Sequence, residues 1–210
     1  MKFIILDTET SDIRNAEIAQ LTYLVFEDNN IKAFNKWFAL DYMSPGASSV
    51  NGLTVENLKT LSNGQTFKDV AEEVLNDFKD AYVIAHNLDF DLPLLDLTIK
   101  KNSRFLQKLS YKNGFCTMEY YTPICAIENY YGYKWPKLSE VIDHLGITTE
   151  EILSACHFFF KTKEIDFHDA RFDVAATYCI LLYTIKNNQK MDSLRNITPN
   201  DFELFWRLDF

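Results

Sequence analysis

The chain has 210 residues, 47% of them hydrophobic and 15% aromatic, which is enough to build one large domain around a proper core. A formal net charge of −9 excludes a broad basic face of the kind that coats duplex DNA. It leaves room for a local site where bound cations neutralise clustered acids. Cys116, Cys125, Cys156 and Cys179 have no C-x-x-C spacing, so reduced thiols are expected rather than a disulfide framework. The opening apolar run reaches Asp7 before a signal-peptide core can form, and Tyr178 to Ile185 is too short to span a bilayer. A cytoplasmic protein with no membrane partner is expected.

Phe3-Ile4-Ile5-Leu6 shows no polar alternation and suits a central strand covered on both faces. Asp7 and Glu9 follow it, and the two-residue repeat of a strand sends both side chains to the same face. Carboxylates held together repel one another unless they bind a cation or keep a proton, so a divalent metal is one reading and a plain polar strand end the other. Ile18–Glu27 and Ile31–Leu40, separated by a short Asp28-Asn29-Asn30 turn, continue as an antiparallel meander. Ser44-Pro45-Gly46 is expected to open a loop. Thr54 should cap a helix over Val55–Leu61, and Thr66 a longer one over Phe67–Phe78, whose apolar residues recur at helical spacing.

Ala81 to Ala85 forms a second short apolar strand. It ends in His86-Asn87-Leu88-Asp89-Phe90-Asp91, where a helix running to about Asn102 should begin, with Pro93 tolerated in its first turn. Lys100, Lys101, Arg104, Lys108 and Lys112 are the concentrated basic stretch, best read as a solvated helix end. Phe115-Cys116-Thr117 should be a strand entering a helix, and Leu138–Leu145 a helix closed by Gly146. His144 and His157 lack partners at ligand spacing and are expected to be structural. A polar connection over Lys161–Phe167 leads to His168, at or just before a long buried helix, with Asp173 more than a turn inside it. The tail from Ile197 to Phe210 is expected to dock on the domain. Residues 1–187 would form the domain and 188–210 the tail.

Three stations stand out in order: Asp7-Thr8-Glu9, His86 to Asp91, and His168-x-x-x-x-Asp173. Together with Val50-Asn51-Gly52-Leu53-Thr54, similar to a V-H-G-I-T motif, and the Lys137-Leu138 helix opening, they resemble the DEDDh-type 3′–5′ exonucleases. That is the family of the DNA polymerase III epsilon proofreading subunit and of ribonuclease T. The resemblance implies a ribonuclease H-like α/β fold, with a mixed five-stranded sheet (three strands antiparallel, two parallel) flanked by helices. It implies that Asp7, Glu9, Asp91 and Asp173 hold two divalent ions, Mg²⁺ or Mn²⁺, and that His168 is the general base. It also implies that Thr10, Leu53 and Phe90 lie near the 3′-terminal nucleotide.

The implied chemistry suits these residue types. Two hard cations about 3.5–4 Å apart acidify a water, neutralise charge on the phosphate and stabilise the leaving oxygen. Such ions take oxygen ligands. An imidazole, titrating near neutral pH, suits removal of the water's proton. The expected partners are single-stranded or frayed nucleic-acid 3′ ends and a DNA polymerase subunit. DNA cleavage with release of nucleoside monophosphates is the leading expectation; RNA 3′-end trimming and a non-catalytic replication-complex module are the alternatives. Two departures from the family pattern are Thr10-Ser11-Asp12, in place of T-T-G, and Asn51, in place of His.

Overall fold

The computed structural model describes residues 1–28, 30–103, 107–162, 165 and 168–187. Its centre is β1 (Lys2–Thr10), flanked by β2 (Ile18–Glu27) and, beyond it, β3 (Asn30–Trp37) on one side, and by β4 (Tyr82–Ala85) and β5 (Asn113–Cys116) on the other. The first three strands pair antiparallel, while β1, β4 and β5 run parallel. This is the mixed five-stranded sheet expected.

The alternation of β1 decides which side chains meet which helices. Phe3 and Ile5 face a core formed with α5 (Thr117–Cys125), α6 (Leu138–Leu145), α7 (Thr149–Phe160) and α8 (Ala170–Lys186). Ile4 and Leu6 face the opposite core, built with α3 (Ala71–Phe78) and α4 (Leu88–Asn102). Both faces of the sheet are thus covered, as the unbroken apolar run requires. Phe26 of β2 stacks flat on Tyr178 of α8, with centroids 5.9 Å apart, and so seats the long helix across the antiparallel half of the sheet.

Several local readings change. Ser44 does not open a loop: its hydroxyl accepts from the Ala47 amide at 3.1 Å and caps α1 (Pro45–Asn51), with Pro45 in the first turn and Gly52 ending the helix at φ +69°. Thr54 caps α2 (Val55–Ser62), and Asn57 takes the reciprocal role in the capping box, accepting from the Thr54 amide at 2.7 Å. The helix expected over Phe67–Phe78 is split into a 3₁₀ turn at Phe67–Asp69 and α3. Asp69 closes back on the Thr66 amide at 2.8 Å and tightens that turn, and Val70 leaves the helical region. Helix α7 was not anticipated, although Thr148 and Glu151 form a capping box at its start. A small hairpin, β6 (Glu128–Asn129) and β7 (Gly132–Tyr133), follows α5.

The four cysteines are free. Among the described residues no helix is long and apolar enough to cross a membrane. Lys100 pairs with Asp96 at 2.7 Å at the end of α4, whereas Lys112 lies beyond that helix, over the Tyr82 ring; Arg104 and the 188–210 tail lie outside the described residues.

Candidate active site

Pairing between β1 and β4 covers only Phe3–Ile5, so the edge of β1 beyond Ile5 has no strand beside it. The crevice opens where a parallel sheet usually binds its ligand, at the carboxyl ends of strands whose connections diverge. Helix α4 starts immediately after β4 and drops its first turn into this gap. There the Asp91 carboxylate accepts from the Thr8 hydroxyl at 2.6 Å and also from the Thr8 backbone amide. Thr8 points away from Asp7 and Glu9, yet it ties the second station to the first.

The third station is held from the other side. Glu9 lies opposite Gln20, where the β1–β2 register slips by one residue. Gln20 donates to the Asp169 carboxylate at 3.0 Å and accepts from the Ala170 amide at 3.3 Å. Asp169 caps α8 by accepting from the Arg171 amide at 3.0 Å, and the Arg171 guanidinium closes on the same carboxylate at 2.6 Å while lying over Trp37. This cap starts the helix at Ala170, so Asp173 lies in its first turn and not deeper inside. His168, at φ +66°, donates its amide to the Asp173 carboxylate at 3.1 Å.

The structure therefore brings the predicted residues of all three stations to one sheet end. Ligand atoms of Glu9, His168 and Asp173 lie within 4.8 Å of one another. Glu9, Asp91 and Asp173 are 8%, 3% and 7% exposed, Asp7 is half-buried, and His168 is exposed at the rim. Burial raises the Asp7 carboxyl well above the usual range, and the charges of Asp173, Asp91, Glu9 and Asp169, in that order, raise it further. Burial, with the Asp173 charge next, pushes Glu9 up to about 8; a hydrogen bond from Asn51 works against this. Burial lifts Asp91 to about 7 despite the two bonds from Thr8. Acids pushed up together in this way either keep protons or take cations. Clustered carboxylate oxygens fit a hard divalent ion.

The substrate positions predicted near the site are less uniform. Thr10 is half-buried and donates its hydroxyl to the Asp12 carbonyl at 3.1 Å. Leu53 is buried against Ala19 and Leu58, whereas Phe90 is half-buried against the core under α4. Asn51 donates to the Thr10 carbonyl at 3.2 Å, accepts from the Leu53 amide at 3.0 Å and bonds Glu9, so it fastens the end of β1 to the α1–α2 junction. Asp12 stands where the family pattern has Gly, and the loop is secured by the preceding buried Ser11, whose amide bonds the Glu17 carbonyl and whose own carbonyl accepts from the Ser44 amide.

His86 has a different task. Its Nε2 reaches the Pro136 carbonyl and its Nδ1 the Thr117 hydroxyl, both at 3.0 Å, and burial lowers its pKa to about 4. A carbonyl only accepts, so Nε2 carries the proton and the ring is a neutral pin. Thr8, Gln20, Asp169, Arg171 and Asn51 were not among the predicted site residues. Thr8, Asn51, Asp169 and Arg171 fell inside the quoted motifs without being singled out; Gln20 carried no sequence signal.

The fold and the acid-lined strand end define a ribonuclease H-like domain of the kind found in exonucleases. Solved structures of E. coli exonuclease I share it: the complex with a dA16 oligonucleotide matches 90% of this chain and 41% of that one, with a TM-score of 0.66 and 18% identity. The apo form matches 90% and 42%, with a TM-score of 0.67 and 18% identity. Among curated proteins, the chain is similar to DNA polymerase III subunit epsilon of Buchnera aphidicola, 29% identical over 122 residues covering 55% of this chain and 50% of that protein. It is also similar to the 3′–5′ exonuclease DinG of Bacillus subtilis, 32% identical over 107 residues, 48% of this chain and 11% of that protein. The chain thus spans about half the length of the epsilon subunits it matches. No protein-family model matches it. The resemblance to 3′–5′ exonucleases carried by the three stations is upheld.

Proposed function

We propose that this chain is a metal-dependent 3′–5′ exonuclease that shortens single-stranded or frayed DNA ends and releases nucleoside monophosphates. The observation that carries the proposal is the meeting of Asp7, Glu9, Asp91 and Asp173 with His168 at one sheet end, where burial and the neighbouring acids raise the carboxyls of Asp7 and Glu9 and burial raises that of Asp91. In this reading the four acids hold two Mg²⁺ or Mn²⁺ ions. Bound there, the ions would supply acidification of the attacking water and neutralisation of the charge that develops on phosphate and leaving oxygen.

The chain's own residues do the rest. His168 accepts the water's proton, and its exposure at the rim lets it return that proton to solvent. Thr8 fixes the orientation of Asp91, and the Gln20–Asp169–Arg171 network fixes the backbone that carries His168. Thr10, Leu53 and Phe90 form the floor against which the 3′-terminal nucleotide rests. The similarity to epsilon subunits favours proofreading beside a polymerase in the cytoplasm. The intact acid set disfavours a purely non-catalytic module.

The test is incubation with 5′-labelled DNA and RNA oligonucleotides in Mg²⁺, in Mn²⁺ and in EDTA. Stepwise loss from the 3′ end, faster on DNA and abolished by EDTA, is expected. Faster shortening of RNA would transfer the proposal to RNA trimming. Immediate release of the labelled 5′ nucleotide, or shortening that persists in EDTA, would overturn it.

A further inference from the structure

Four aromatic rings stand in solvent on the small hairpin. Tyr130 and Tyr131, at the turn between β6 and β7, are each 93% exposed, Tyr133 is 53% exposed and Trp135 67%. Single exposed aromatics are ordinary, but a cluster on one short element marks an interaction surface. The hairpin is also built. The Asn129 side chain accepts from the Tyr131 amide at 2.8 Å, the Lys134 amide donates to the Ile127 carbonyl at 2.9 Å, and the Lys134 ammonium pairs with Glu140 at the start of α6. Tyr130 and Tyr131 meet edge to face, with centroids 5.1 Å apart.

The position of the hairpin says what would cover it. Trp135 is followed by buried Pro136, whose carbonyl takes the Nε2 proton of His86. His86 is the first residue after β4 and precedes Asp91 by less than two helical turns; its other nitrogen bonds Thr117, the first residue of α5 after β5. Because β1, β4 and β5 are parallel, their carboxyl ends lie along one edge of the sheet. The hairpin is therefore rooted on the edge that carries the acids, in the lane next to β1.

We infer that this hairpin is a stacking platform for single-stranded nucleic acid, holding bases 5′ to the terminus on Tyr130, Tyr131 and Trp135. The inference rests on the exonuclease reading for the direction of the strand. Base stacking is tolerant of sequence, because every base has a π face, which suits a strand that must advance one nucleotide at a time. It also answers a problem of charge. The chain carries a net charge of −9, and Lys134, in the hairpin's own segment, is tied to Glu140. Stacking supplies attraction that phosphate neutralisation does not.

The test compares the wild type with a Y130A/Y131A/W135A variant. Affinity for fluorescein-labelled (dT)₁₂ is read by anisotropy in EDTA, where nothing turns over. Hydrolysis of the p-nitrophenyl ester of thymidine 5′-monophosphate, which carries no base 5′ to the terminal one, is read in Mn²⁺. At least a tenfold loss of (dT)₁₂ affinity is expected, with ester hydrolysis within twofold of wild type, and Y130F/Y131F/W135F should restore the binding. Equal (dT)₁₂ affinity in wild type and the alanine variant would overturn the inference, as would equal affinity together with a wild-type dimer that the alanine substitutions dissolve. If the wild type fails to hydrolyse the ester while (dT)₁₂ binding still depends on the rings, the platform stands and the exonuclease reading falls.

Discussion

Replacing Glu9 with Gln should make the metal-free protein less sensitive to alkali. In the folded state burial and the Asp173 charge keep the Glu9 carboxyl protonated up to about 8, against 4.5 for an open glutamate. A group whose pKa is raised by folding contributes stability that is fully present below its unfolded pKa and is lost as pH climbs through its folded one. His86 works in the opposite sense. Its pKa falls from 6.5 to about 4 on folding, so its contribution grows as pH rises over that interval and is complete by about 6.5. From pH 6.5 to 8 the acids therefore act without it. One proton retained by the native state over that interval corresponds to about 2 kcal/mol. Urea unfolding in EDTA, followed by circular dichroism at half-unit pH steps, should show wild type losing about that much more than E9Q between these limits. Saturating Mn²⁺ should erase the difference, because the cation takes over the role of the proton. Parallel stability curves for the two proteins in EDTA would refute the claim that Glu9 is strained by its neighbours.

Thr8→Val removes the hydroxyl that orients Asp91, and Mn²⁺ affinity measured by calorimetry should fall about 10- to 100-fold with an unchanged circular dichroism spectrum; unchanged affinity would leave Thr8 without a part in the site. His168→Ala should lower the rate of oligonucleotide shortening by about 10²- to 10⁴-fold while Mn²⁺ still binds. Loss of the metal in that variant would make the imidazole a ligand and not the base. Phe26→Ala, which empties the contact between β2 and α8, should cost about 3–5 kcal/mol in urea unfolding; a loss below about 1 kcal/mol would mean that α8 is seated by other contacts.

The parts of the site that sequence made legible are those governed by short periods. Asp7 and Glu9 share a face because a strand repeats every two residues, and their face is the one Phe3 and Ile5 present to the α8 side of the core. The antiparallel meander was legible in its apolar runs and the Asp28-Asn29-Asn30 turn, whereas the two parallel strands came with the family resemblance. What stayed hidden depends on contacts between distant positions. Thr8 and Asp91 are 83 positions apart, and Gln20 and Asp169 are 149 apart. Neither Thr8, on the face away from the acids, nor Gln20, in the middle of an apolar strand, carries a mark that separates it from an ordinary sheet residue. The misread helix at Pro45 and the missed α7 are different cases: Ser44-Pro45 before Gly52, and Thr148 with Glu151, were start signals in plain view.

Mn²⁺ titration followed by electron paramagnetic resonance tests most directly whether acids from three distant stretches form one cage for hard cations. Two ions per chain are expected in the wild type, displaced by Mg²⁺, with binding abolished or reduced to one weak site by Asp7→Ala in a protein that keeps its circular dichroism spectrum. Wild type that binds no Mn²⁺, or Asp7→Ala that binds it as well as wild type, would contradict the metal site and the hydrolytic chemistry assigned to it.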